Sequence, residues 1–171
     1  MTTRFLRTFM ILLILICNFG CDRISKIVIR QTIRDDQQFT FLNDHLTLTK
    51  VENSGAFLSL GNTMSHPLRF IFLSIIPLLV LCYGLFFLFT NRNISKTTLT
   101  GICFVLGGGL GNVFDRIVYG SVTDFLHINF VIFQTGVFNL ADVSIMSGMI
   151  MIVFDYFKGK EIFNGSADQL P

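Results

Sequence analysis

The sequence predicts a mainly α-helical, polytopic membrane protein with four spanning helices and two outer segments, the first holding a small β-hairpin. Composition points there first. Hydrophobic residues make up 51% of the 171 positions and charged residues 14%, whereas a soluble domain carries about a quarter charged residues. The mean hydropathy is +0.64, so the chain lacks the polar material to coat a globular surface. The second observation is patterning. The apolar residues gather in stretches that reach or approach the ~20 residues needed to cross a bilayer. The third is that few ionisable residues interrupt those stretches.

The length suits one domain over residues 1–171. A net charge of +2 with no dense Lys/Arg run excludes a nucleic-acid partner. Cys17, Cys21, Cys82 and Cys103 lie in or beside apolar runs without a C-x-x-C pair. They read as buried free thiols, not as a metal site or disulfide framework.

The first span is expected over about 5–29. Phe9–Phe19 is too short alone, but a helical pattern continues past it. Asp22, Ser25 and Lys26 fall at i, i+3 and i+4 on one face, with Ile24, Ile27 and Val28 on another. The rival reading is a secretory leader, with Arg4 and Arg7 before the apolar core and Cys21 after Gly20. Asn18 stands where a lipoprotein cleavage box wants an aliphatic residue, and the amphipathic continuation past Cys21 favours a retained helix. The second span, 67–90, opens on Pro67, which suits a first helical position. The third, 97–118, is interrupted late by Asp115 and Arg116. The fourth, 137–157, carries Asp142 in its early turns. An irregular tail is expected from Lys158.

Two outer segments remain, 30–66 and 119–136. Within the first, Phe39–Thr49 partly alternates around Asn43-Asp44 and predicts a hairpin, and Asn53-Ser54-Gly55 predicts a turn. In the second, Phe125–Phe133 is nearly all apolar and predicts a strand or short helix at the interface. Four spans place both termini on one side. Arg4, Arg7, Arg92, Lys96, Lys158 and Lys160 flank that side and point to the cytoplasm. Arg23, Lys26, Arg30, Arg34, Lys50 and Arg69 lie opposite, accompanied by Asp35, Asp36, Asp44 and Glu52.

A charge within a span costs about 2.5–3.5 kcal/mol on insertion scales, so Asp22, Asp115, Arg116 and Asp142 each require a partner or a function. Lys26 and Arg116 could each neutralise a carboxylate. Asp142 has no cation nearby on its own helix. Asn139 and Asp142 stand i, i+3 and are expected to share a helix face, as are Asn112 and Asp115. The Gly107-Gly108-Gly109-x-Gly111 run lets a neighbouring helix approach closely. No G-K-[ST] follows, which excludes a phosphate loop. Asp124, expected in a loop after the third span, and Asp142 then lie at similar depth near the outer face. Two carboxylates in a low-dielectric pocket cannot both ionise easily. One then serves as acid and the other as base. Intramembrane carboxylates also suit a transporter or channel that relays protons or binds a cation, and spacing alone leaves both readings open. A thiol oxidoreductase would need paired outer cysteines, and Cys82 and Cys103 lie within spans.

The motifs narrow this. Asp22-Arg-Ile-Ser-Lys26, Asn53-Ser-Gly55-Ala-Phe57, Gly107-Gly-Gly-Leu-Gly-Asn112-Val-Phe-Asp115-Arg116, Val122-Thr-Asp124-Phe125 and Phe138-Asn139-Leu-Ala-Asp142 occur in order. Together, over about Phe5 to Phe157, they resemble the bacterial lipoprotein signal peptidases (signal peptidase II). The resemblance implies a four-helix membrane aspartic peptidase with an extracytoplasmic β-rich cradle, in the bacterial cytoplasmic membrane. It implies cleavage of prolipoproteins on the amino side of the diacylglyceryl-modified cysteine. By resemblance the catalytic residues are Asp124 and Asp142, supported by Asp22, Lys26, Asn53, Asn112, Asp115, Arg116 and Asn139. Gly55 belongs to the same outer turn as Asn53. Phe57 and Phe125 are expected beside the lipidated substrate. No metal, cofactor or obligate protein partner is implied; the partners are the prolipoprotein and membrane lipid. Arg23, Gly109 and Val143 stand where the family commonly has Gln, Ala and Ser, departures that touch substrate preference and remove no catalytic group.

Overall fold

The computed structural model describes residues 2–55, 65–130 and 132–167. Four helices carry the chain: α1 (Thr2–Thr32), α2 (His66–Thr90), α3 (Lys96–Tyr119) and α4 (Leu140–Ala167). Each contains a segment long and apolar enough to cross a membrane: Arg4–Thr32, His66–Thr90, Lys96–Tyr119 and Leu140–Gly159. Strands β1 (Gln38–Phe41), β2 (Leu46–Asn53), β3 (Val122–Phe130) and β4 (Phe133–Gln134) form an antiparallel sheet in that order.

The bundle is apolar on its outside. Phe5, Leu79, Val80, Tyr83, Phe86, Met146, Ile150 and Phe154 are all exposed, an arrangement suited to lipid and untenable in water. Ile24, Ile27 and Val28 belong to this lipid face of α1, while Asp22 and Lys26 are buried, as the spacing predicts. The cysteines require a correction: only Cys103 is buried, and Cys17, Cys21 and Cys82 are exposed on the spans. An apolar run in a membrane helix has two apolar surroundings, core and lipid, and composition does not distinguish them.

Helix α3 is the centre. Half of its apolar window is buried, against 17% in each of the other three spans. Its glycines explain why. A Cβ on Gly107 would strike Asn18 of α1, one on Gly108 would strike the Ala141 carbonyl of α4, and one on Gly109 would strike Leu81 of α2. Three neighbours are thus seated on consecutive positions of one helix. Gly101 of α3 and Gly148 of α4 likewise meet backbone to backbone. Gly108→Ala is therefore expected to push α4 outward and lower stability by about 1–3 kcal/mol. Thermal unfolding in detergent measures this; an unchanged midpoint would show that the contact is not tight.

Two hydrophobic clusters hold the parts together. Ile11, Leu15, Leu81, Leu88, Leu99, Cys103, Leu106 and Val113 join α1, α2 and α3. Ile29, Ile33 and Phe125, with Leu48, Leu126 and Leu140 against them, root the sheet on the end of α1. Helix α2 widens into a π turn over Ile71–Ile75. Pro77 stands just beyond it, without an N–H and with a ring that crowds the carbonyl four residues back.

Three boundaries differ from expectation. Helix α4 begins at Leu140 and not at 137, because Phe138 is taken by the sheet: its N–H donates to Leu126 O at 2.8 Å and its carbonyl accepts from the Leu126 N–H at 2.8 Å. The same helix runs to Ala167, past the expected tail start at Lys158. Strand β3 begins at Val122, so Asp124 lies in a strand and not in a loop. The hairpin forms as predicted, turning through Leu42, Asn43 and Asp44, all at positive φ.

Candidate active site

Three local structures bring the site together. The first is β3, where Asp124 is 5% exposed. It stands opposite Val51 of β2, with Asn53 two residues further along the partner strand. From that diagonal position the Asn53 Nδ2 donates to Asp124 Oδ2 at 3.1 Å. The second is the start of α4. The Phe138–Leu126 bridge delivers Asn139 beside Asp124, and Asn139 Nδ2 donates to Asp124 Oδ1 at 2.6 Å. The Asp142 N–H donates to Asn139 Oδ1, and the Asn139 N–H donates to Asp142 Oδ2, both at 3.1 Å. This reciprocal pair is a capping box. The expectation that the two side chains lie on one face of the helix is corrected: Asn139 caps the helix, and Asp142 sits in its first turn.

The third is the polar end of α3. Asn112 Nδ2 donates to Asp142 Oδ1 at 2.8 Å. Its Oδ1 accepts from Asn139 Nδ2 at 3.2 Å and from Lys26 Nζ at 3.0 Å. The donors fix the amide orientation, because Nδ2 is the only group on Asn112 that can donate to a carboxylate. Asp124 and Asp142 are thus joined through Asn139, with every carboxylate oxygen of the pair accepting one amide N–H.

Beneath the pair lies a buried charge cluster. Lys26 Nζ is 2.9 Å from Asp22 and 3.0 Å from Asp115, and all three side chains are wholly buried. Arg23 pairs with Asp115 as well, and Arg30 approaches it at 3.4 Å. Asp22 Oδ1 also accepts the Ala141 N–H at 3.0 Å, which ties α1 to the first turn of α4. Arg23 and Arg30 stack on Phe114 and Tyr119, respectively, with cation-to-centroid distances of 4.4 and 3.8 Å. Arg30 Nε further donates to Thr123 Oγ1 at 2.6 Å, whose hydroxyl donates to Glu52 at 2.7 Å.

Arg116 departs from its expected part. It makes no ion pair among the described residues. Its Nη2 donates to Gly55 O at 2.9 Å, and the Gly55 N–H donates to Asn53 Oδ1 at 3.0 Å. Arg116 therefore holds the Asn53–Gly55 turn, while Lys26, Arg23 and Arg30 neutralise Asp115. Phe125 is corrected too. It is 4% exposed and packs with Ile29 and Ile33, so it belongs to the core and not to a substrate surface. Phe57 lies outside the described residues. Sequence reasoning missed Arg23, Arg30, Glu52 and Thr123. A signal was present for two of them: Arg23, Lys26 and Arg30 stand at i, i+3 and i+7, one face of α1.

Burial pushes the Asp124 carboxyl up to about 6 against the pull of the Asn53 and Asn139 amides, and the Asp142 charge adds to the rise. Among the described residues, no group of three or more His, Cys, Asp or Glu could hold a metal ion.

A buried and a half-buried carboxylate, joined by amides at the end of a four-span bundle, form the arrangement with which an aspartic hydrolase divides acid and base work. Comparison with known proteins narrows the class. Residues 13–158 match the family described as Signal peptidase (SPase) II, and the chain belongs to that family. The matched region contains all of the site residues named above. The lipoprotein signal peptidase of Caldicellulosiruptor bescii is 34% identical over 153 residues, 88% of this chain and 94% of the relative. That of Burkholderia cenocepacia is 35% identical over 136 residues, 78% of this chain and 79% of the relative. A solved structure described as a bacterial membrane enzyme, determined in meso at 2.3 Å resolution, superposes with a TM-score of 0.78 at 26% identity, covering 88% of this chain and 89% of that one. A second, at 1.9 Å resolution, gives 0.76 at 27% identity, covering 87% and 93%.

Proposed function

We propose that this protein is a membrane aspartic endopeptidase that removes the signal peptide from prolipoproteins, cutting on the amino side of the diacylglyceryl-modified cysteine. The observation that carries the reading is the Asp124–Asp142 pair, bridged by Asn139, in a chain of the signal peptidase II family. A lipidated substrate already lies in the bilayer, and a site at the end of the bundle meets it without extraction. The cation distribution supports cytoplasmic termini and a site near the outer face of the bacterial cytoplasmic membrane. No cofactor and no obligate protein partner enters the reading.

The roles of the two acids follow from their places. Asp142 sits in the first turn of a helix, accepts the Asn139 N–H there, and takes the part of the base. Asp124 sits in a strand, buried, and is the member that keeps the proton. Asp142 takes a proton from water as the oxygen attacks the scissile carbonyl carbon. Asp124 donates its proton to the carbonyl oxygen, giving a tetrahedral diol. When the diol collapses, a hydroxyl proton returns to Asp124, the C–N bond breaks, and Asp142 passes its proton to the leaving amine. Both acids end as they began. Arg116 and the Asn53–Gly55 turn stand beside the pair, where they orient the peptide.

The test is cleavage of an authentic diacylglyceryl-modified prolipoprotein by the purified protein, followed across pH. The proton on Asp124 is lost as pH rises through about 6, so the rate is expected to fall above that value, by about tenfold per pH unit well beyond it. The apparent value belongs to the coupled pair. The linkage has the same sign. A folded-state value above the ordinary 3.8 means stability present at low pH and lost as pH climbs through about 6. An inert folded protein would remove the peptidase reading, and a rate rising steadily from pH 5 to 8 would remove Asp124 as the acid.

A further inference from the structure

A cavity of about 320 Å³, lined in part by Arg116 and Ser54, lies between the start of α2 and the end of α3. Its polar lining is one-sided in charge. His66, Arg69 and Arg116 face it, and no carboxylate does among the described residues. Arg69 and Arg116 make no ion pair among the described residues, and Arg116 has a buried Nε with no hydrogen-bond partner. Ser74, which is 1% exposed, lines the same cavity from the π turn at Ile71–Ile75.

An unpaired buried Nε and two permanent cations around an open space are costly unless an anion completes them. The floor identifies the kind of anion. Phe70 and Ile117 border the cavity and are 40% and 46% exposed on the membrane face. Tyr119, at the same end of α3, stands at the level where aromatic residues mark the bilayer interface. Cations above and an apolar, lipid-facing wall below match a phosphodiester head with acyl chains descending beside it.

We propose that this cavity binds the headgroup of a net-anionic phospholipid of the surrounding leaflet, with Arg69, Arg116, His66 and Ser74 donating to the phosphate. A zwitterionic headgroup is disfavoured, because its ammonium would enter a space already lined by cations. The site shares Arg116 with the Asn53–Gly55 turn, so a bound headgroup braces the same guanidinium that holds the turn beside Asp124.

Native mass spectrometry of the full chain in detergent tests this without reference to cleavage, so failure of the peptidase reading and failure of the lipid site remain distinct. Phosphatidylglycerol and phosphatidylcholine are added in parallel. The expected result is retention of phosphatidylglycerol at least about tenfold tighter than phosphatidylcholine, the scale of one charge-assisted contact. Arg69→Gln and Ser74→Val each abolish that preference, while Arg34→Gln, at an exposed outer cation away from the cavity, keeps it. Excess inorganic phosphate leaves the lipid bound. Equal retention of the two lipids, an undiminished preference in both cavity variants, or displacement by inorganic phosphate would each overturn the proposal.

Discussion

Asp124→Asn and Asp142→Asn each reduce cleavage of a diacylglyceryl-modified prolipoprotein by at least about 10³-fold, within the range lost when a general acid or base is removed. The two substitutions are nearly isosteric, and neither leaves a buried charge without a partner. At Asp142 the amide oxygen can still accept from the Asn139 N–H, so the capping box survives with the base gone. At Asp124 the amide can still accept from Asn139 Nδ2 and can no longer supply the proton. In each variant the new amide NH2 meets a donor, Asn53 Nδ2 at position 124 or Asn112 Nδ2 at position 142, so the unfolding midpoint falls by a few degrees while the loss of activity falls on kcat. The effects are non-additive: the double variant is about as inactive as either single one, because both acids act in one step. A variant that retains more than a tenth of the wild-type rate would remove that residue from the chemistry.

Lys26→Met has the second largest effect, on folding. The side chain is wholly buried between Asp22 and Asp115, and its ammonium also holds Asn112 Oδ1. Removing one partner of a buried ion pair leaves the other uncompensated and costs about 3–5 kcal/mol. Asp115 retains Arg23 and Arg30, but Asp22 has no other cation among the described residues. Adding Asp22→Asn to Lys26→Met should therefore restore most of the lost stability, since an asparagine oxygen can still accept the Ala141 N–H. Activity should not return with it. Without the ammonium, Asn112 Oδ1 is left with the Asn139 amide, and the hold that aims its donor at Asp142 is weakened. Unfolding in detergent and the cleavage rate, measured on the same three preparations, separate the two roles. If the double variant were fully active, Lys26 would be a structural residue alone.

Much of the site was legible in one chain because its polar residues stand out against apolar spans. Asp22, Lys26, Asn112, Asp115 and Asp142 are conspicuous where charge is costly. Their partnerships were less legible. The neighbour of Asp115 in sequence, Arg116, points to Gly55, while its ionic partners lie on α1, far away in sequence. Side chains at i and i+1 leave a helix in different directions, so adjacency in a helix argues against contact. Phe125 misled for a related reason. An aromatic next to Asp124 in a strand points to the opposite face, which here is the core.

From the order of residues alone come the four membrane-crossing helices and the side chains too polar for lipid. Those properties follow from hydropathy and helical period, both written locally. The tertiary structure decided that Phe138 leaves the helix to pair with Leu126, which sets Asn139 as a cap and puts it between the two aspartates. It decided that three successive glycines seat three different helices, and that Lys26 orients Asn112 toward Asp142. Each of these depends on which group from a distant segment arrives to satisfy a buried donor or acceptor, and no local pattern specifies that partner.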